Sequence, residues 1–183
     1  MFGHQNEPVT LIRDVSAIII PVGEVITLRE GTEGFITQAL GGSFTVYVEG
    51  NLFRISGVDA DALGKDPVPL PAIPDDATDA DIENVIWEQL KTCYDPEIPV
   101  DVVNLGLIYR CELTSLGNGE RSVSIDMTLT APGCGMGDVL VQDAREKIAI
   151  IPTISHVNVE LVFDPPWHVG MMSEEARLQT GMM

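Results

Sequence analysis

At 183 residues the chain is long enough for one large domain or two small ones with buried cores. Its 28 acidic against 10 basic residues leave a net charge of -18, which excludes a phosphate backbone or an anionic bilayer as partner, because either needs a cationic face. No uninterrupted apolar run approaches the roughly 20 residues that cross a membrane.

Residues 1–7 have neither the basic start and apolar stretch of a secretory signal nor the arginines of a transit peptide, so the expected compartment is the cytoplasm. Residues 9–20, 24–28, 35–40, 44–49 and 52–55 read as short β-segments, with turns at Gly31, Gly34, Gly41-Gly42 and Gly50-Asn51. The expectation is a small all-β module, barrel-like or sandwich-like, over residues 1–58. So few residues bury little surface, and the module is expected to lean on the rest of the protein or on a second copy. Residues 59–78 carry Pro67, Pro69, Pro71 and Pro74 and read as an acidic, extended linker. Thr78 and Asp81 have the spacing of a capping box.

Residues 79–183 are expected to form the main domain. Ile82, Val85, Ile86 and Leu90 give one apolar face to a helix over 79–91, which Pro96 and Pro99 end. Three strands follow by alternation. Leu105, Leu107, Tyr109, Cys111 and Leu113 share one face of the first; Val123, Ile125, Met127 and Leu129 mark the second; Val157, Val159, Leu161 and Phe163 mark the third. Residues 116–120 join the first two as a hairpin loop, and a helix over 137–149 aligns Leu140, Ala144 and Ile148. A sheet apolar on one side must be covered there, so the expected fold is α+β, a two-layer helix-strand-strand-helix-strand domain behind the β-module. A short terminal helix capped by Ser173 ends the pattern.

The chemistry concentrates on one thiol. Three cysteines cannot all pair, no C-x-x-C occurs, and reduced thiols are expected. Cys111 alternates with core residues and reads as a small buried hydrophobe; Cys93, at a helix end, reads the same way. Cys134 stands in Thr130-Ala131-Pro132-Gly133-Cys134-Gly135-Met136-Gly137, between strand and helix. The unpaired amides of a helix start favour a thiolate, and flanking glycines leave the sulfur uncovered. The bland alternative is that Pro-Gly-Cys-Gly is only a tight turn. Asp95-Pro96-Glu97 sets two carboxylates in a proline-stiffened loop, a turn motif that also offers hard oxygen ligands to iron beside a soft thiolate. His168, after the third strand, is an incidental loop histidine, a base or a ligand. No phosphate-binding glycine loop is present. Four cysteines normally hold an iron-sulfur cluster, so one suitable cysteine per chain suits loose holding across a dimer, with other ligands from a client or small thiol.

Four ordered motifs carry a resemblance: Tyr94-Asp95-Pro96-Glu97-Ile98-Pro99-Val100, Asn104-Leu105-Gly106-Leu107-Ile108-Tyr109, Thr128-Leu129-Thr130-Ala131-Pro132-Gly133-Cys134-Gly135-Met136 and Phe163-Asp164-Pro165-Pro166-Trp167. Over residues 79–178 the chain resembles the iron-sulfur assembly factors that include SufT proteins, a eukaryotic cytosolic iron-sulfur targeting component and a helper of phenylacetate oxygenases. The N-terminal Gly-rich segment and Met171-Met172-Ser173-Glu174 resemble SufT in particular. The resemblance implies a non-enzymatic auxiliary factor that delivers or installs clusters in client proteins. Cys134 would be the functional thiol, Asp95, Glu97 and His168 candidate co-ligands, and Pro132, Gly133, Gly135 and Trp167 supporting motif residues. The implied cargo is an iron-sulfur cluster or iron, held transiently; the implied partners are apo-clients, scaffold or carrier proteins and a second copy of the chain. Two departures stand out: Asp101 and Asn104 exchange the family's usual residue types, and His168 replaces a small polar residue. The rival readings are a thiol enzyme, with Cys134 as nucleophile and His168 or Asp95 as base, and a pure interaction module.

Overall fold

The computed structural model describes residues 6–95, 98–131 and 135–182. The chain divides into two compact units, residues 1–70 and 71–183, and its mixed helix and sheet content is that of an α+β protein.

The N-terminal unit is built on six strands: β1 (Glu7–Thr10), β2 (Val15–Ile20), β3 (Val25–Leu28), β4 (Glu33–Leu40), β5 (Ser43–Val48) and β6 (Asn51–Ser56). They form one antiparallel sheet in the order β1-β4-β5-β6-β2-β3. Val15, Ala17, Val46, Phe53 and Ile55 fill its core. The continuous strand expected over 9–20 is interrupted at residues 11–14, because its two halves have different neighbours: β1 pairs with β4, whereas β2 pairs with β6 and β3. Within the interruption Arg13 donates from Nε and Nη2 to the two carboxylate oxygens of Asp61, both at 2.7 Å, and reaches Asp59 at 3.0 Å. That fork holds the Asp61 carboxyl below the usual range.

The same pairing explains a difference at the expected linker. Gly57–Leu63 is a 3-10 helix, capped by the Ser56 hydroxyl at its start and by left-handed Gly64 at its end. Ala62 and Leu63 sit in the N-terminal core. Only the later proline-bearing residues read as linker from composition also lack regular structure here.

The C-terminal unit runs α1 (Asp79–Leu90), β7 (Ile108–Gly117), β8 (Glu120–Met127), α2 (Gly137–Ala149), β9 (Ile154–Leu161) and α3 (Glu174–Thr180). Thr78 and Asp81 close a capping box at the start of α1, each side chain accepting the other's backbone N–H. The sheet order is β7-β8-β9, with β7 antiparallel and β9 parallel to β8. Ile82, Ile86 and Leu90 of α1, Leu140, Ala144 and Ile148 of α2, and Val123, Ile125, Met127 and Val159 of the strands share one core. Each such side chain, fully withdrawn from water, contributes roughly 1.5–3 kcal/mol. The first strand begins later than alternation predicts. Gly106 turns the chain at φ +75°, Leu105 and Leu107 are buried from that turn, and a register shift between Ile108 and Arg110 breaks the period at Tyr109.

Candidate functional site

The register of the three-stranded sheet fixes where the segments beside its strand ends lie. Ile108 opens β7 opposite Met127, the last residue of β8, and Met127 lies beside Leu161, the last residue of β9. The segment before β7, the connection from β8 to α2 and the segment after β9 therefore leave the same end of the sheet. Two backbone bonds tie them there: Thr128 N–H donates to the Leu107 carbonyl and Val162 N–H to the Met127 carbonyl, each at 2.8 Å. In a parallel β-α-β arrangement the carboxyl ends of the strands are where loops build sites.

Residues 93–105 are folded on themselves. Asp95 is 5 % exposed and its Oδ1 accepts from the Ile98 N–H at 3.0 Å; its own N–H donates to Val100. Asp101 Oδ1 accepts from the amides of Val103 and Asn104, and Oδ2 accepts from Asn104 Nδ2 at 2.6 Å. The exchanged pair of the motif is thus joined by its own hydrogen bond. Lys147 of α2 anchors the start of this segment, donating to the Thr92 carbonyl at 2.6 Å and pairing with Asp143 at 3.3 Å in a buried setting.

The segment after β9 straps across 104–109. Trp167 Nε1–H donates to the Leu105 carbonyl at 2.7 Å, Tyr109 O–H donates to the Pro165 carbonyl at 2.8 Å, and Ser173 N–H donates to the Asn104 carbonyl at 2.8 Å. A Cβ on Gly106 would collide with the Met171 carbonyl, so only glycine permits this approach. In the sequence Gly106 and Tyr109 stand out only as members of the second motif, with no role assigned to either, and Lys147 does not stand out at all. For Gly106 the sequence signal is a glycine inside an apolar alternation, and the structure supplies its reason, a φ of +75°.

Of the expected site residues, Pro96, Glu97, Pro132, Gly133 and Cys134 lie outside the described residues. Trp167 lies in the strap, with its indole N–H bonded to the Leu105 carbonyl. His168 is exposed, and its Nδ1 accepts from the Gly170 N–H at 3.1 Å, capping the short 3-10 turn Val169–Met171. Gly135 is exposed and precedes Met136, the N-cap of α2, which makes no side-chain cap. Among the described residues the N-cap side chain leaves the first-turn amides of α2 uncapped, and Asp138 in that turn partly offsets their positive field. Gly137 lets that helix start close on Leu129 and Leu161. Among the described residues no group of three or more His, Cys, Asp and Glu could hold a metal ion.

The two described thiols do not suit ligation. Cys93 is fully buried, with Sγ 3.9 Å from the Gln89 carbonyl. Burial pushes the Cys111 thiol up to about 11, so it stays protonated at neutral pH. Near neutral pH, iodoacetamide is expected to label one thiol quickly in the native protein and the other two only on unfolding, with peptide mapping placing the fast label on Cys134.

The family model described as an iron-sulfur cluster assembly protein matches residues 83–161, inside the C-terminal unit. The Fe-S protein maturation auxiliary factor of Porphyromonas gingivalis is 43% identical over 101 residues, covering 55% of this chain and 92% of that protein. The auxiliary factor SufT of Staphylococcus aureus is 39% identical over 88 residues, covering 48% of this chain and 96% of its own. A crystal structure of a domain of unknown function from Bacillus anthracis is 34% identical, with a TM-score of 0.48, covering 56% of this chain and 93% of that one. The chain belongs to the iron-sulfur cluster assembly family.

Proposed function

We propose that this chain is a non-enzymatic auxiliary factor in iron-sulfur protein maturation, handing a cluster or iron to apo-clients through Cys134. The observation that carries the reading is that the segment before β7, the segment that follows β8 and the segment that follows β9 leave one end of the β7-β8-β9 sheet together, in a chain of this family. The other two thiols are buried or kept protonated, which supports assigning the exchange to Cys134. The uncapped start of α2 supports a thiolate there.

Transfer is ligand exchange. Cys134 loses its proton to water, and the sulfur donates an electron pair to iron of the arriving cargo as the bond from that iron to a donor's thiolate or to water breaks. A client thiolate then forms its own bond to the same iron as the Cys134 bond breaks, and no oxidation state changes. Asp95, Glu97 and His168 are the proposed transient oxygen and nitrogen donors, with Pro132, Gly133, Gly135 and Trp167 shaping the loop.

In this reading residues 79–183 form a two-layer assembly-factor domain and the proline-bearing stretch 64–78 a tether. Residues 1–58, a barrel-like module, dock scaffold, carrier or client proteins. The factor works in the cytoplasm as a homodimer, without nucleic acid or membrane. Anaerobic reconstitution of the full chain with iron and sulfide tests the core of this: visible absorption that transfers to an apo-ferredoxin is the expected result. Failure of both absorption and transfer overturns it.

A further inference from the structure

An open cleft of about 730 Å³ lies at the same sheet end, between the start of β7 and the strap that follows β9. Ile108, Val162, Pro165 and Met171 supply apolar wall, and Asp126 and Asp164 supply carboxylates. The basic lining residue is Arg110, and its guanidinium is already engaged: Nε with Asp126 at 2.9 Å, Nη1 with Glu112 at 2.6 Å and Nη2 with Ser124 at 3.2 Å. Glu160 stands beside Asp126 in the parallel register. Around the cleft, Asp126, Asp164, Glu112 and Glu160 therefore outweigh a single, internally satisfied cation.

We infer that this cleft docks a segment of client polypeptide in which a lysine or arginine stands beside aliphatic residues. The inference rests on the delivery reading above. Three features select that occupant. The apolar walls want aliphatic side chains, the excess of carboxylates wants a cation, and Arg110 has no fork left for an anionic ligand. A net charge of -18 steers basic partners toward the molecule. The cleft is also well placed for its use: Asp126 and Met127 lead directly into the connection that carries Cys134 in sequence. A client held here presents its thiols to that connection at raised effective concentration.

The test uses the full chain, isotope-labelled, titrated with a synthetic peptide alternating lysine and leucine and with a second peptide in which glutamate replaces lysine. The lysine peptide is expected to shift the amide resonances of Ile108, Asp126 and Val162, and the glutamate peptide to leave them in place. Asp126→Asn/Asp164→Asn is expected to weaken the lysine peptide at least tenfold, and Asp164→Asn alone, which leaves the Arg110–Asp126 pair intact, at least threefold. Asp75→Asn/Asp76→Asn removes as much charge away from the cleft and is expected to change affinity less than twofold. Equal weakening by both double variants, shifts mapping elsewhere, or binding of the glutamate peptide overturns the inference. Cys134→Ser is expected to bind the lysine peptide as wild type does. In the wild-type chain, docking without transfer would sink the delivery reading alone, and transfer without docking would sink the cleft alone.

Discussion

Cys134→Ser is expected to lower the rate of cluster transfer to an apo-client by at least tenfold while leaving folding intact. Serine differs from cysteine by one atom, so the substitution is close to isosteric. What is lost is the soft, readily ionised donor: a hydroxyl stays protonated at neutral pH and bonds iron poorly in exchange with thiolates. Cys93→Ser and Cys111→Ser make the comparison sharp. The first places a hydroxyl in a fully buried position and the second in a half-buried one, so each is expected to cost about 1–3 kcal/mol of stability with transfer preserved. Transfer is read as the return of client activity under anaerobic conditions, and in cells as cluster-enzyme activity under iron limitation. Unchanged transfer by the Cys134 variant, or equal loss from all three, refutes a dedicated thiol.

Much of the C-terminal unit is legible because its physics is local. Val123, Ile125 and Met127 alternate on one face of β8, Val157, Val159 and Leu161 on β9, and Ile82, Ile86 and Leu90 recur at helical spacing, so period alone locates strands and helices. Thr78 and Asp81 are close in sequence, and their capping box could be read directly. The departures are tertiary. Residues 11–14 break a β-like run because β1 pairs with β4 and β2 with β3 and β6, and within the break Arg13 reaches Asp59 and Asp61, 46 and 48 positions away, with nothing near it to announce the contact. The expected linker opens as a 3-10 helix whose Ala62 and Leu63 enter the N-terminal core, a burial that composition does not show. At the site, the motifs mark which segments matter, yet only strand register shows that they leave one sheet end together. Lys147 was invisible for a like reason: a lysine on an amphipathic helix reads as solvated, whereas here it is buried against the Thr92 carbonyl.

Gly106→Ala is expected to destabilise the C-terminal unit by about 2–4 kcal/mol, a fall in melting temperature of roughly 10 °C. Two costs combine. A non-glycine residue at φ +75° is strained by roughly 1 kcal/mol or more, and the new methyl meets the Met171 carbonyl, which belongs to backbone and cannot rotate away. The strap must move, and with it go the bonds from Trp167 to Leu105, Tyr109 to Pro165 and Ser173 to Asn104. Gly119→Ala separates the two costs. Gly119 has nearly the same φ, +77°, in the hairpin between β7 and β8, but nothing lies within 4 Å of the position its Cβ would take. That variant is expected to lose only about 1 kcal/mol. Calorimetry on both variants measures the difference, and the indole environment of Trp167 reports whether the strap has lifted. Equal losses at the two glycines would mean that the strap yields without cost. A larger loss at Gly106 with slowed client transfer would mean that the strap holds the segment 104–109 in the arrangement on which the site depends.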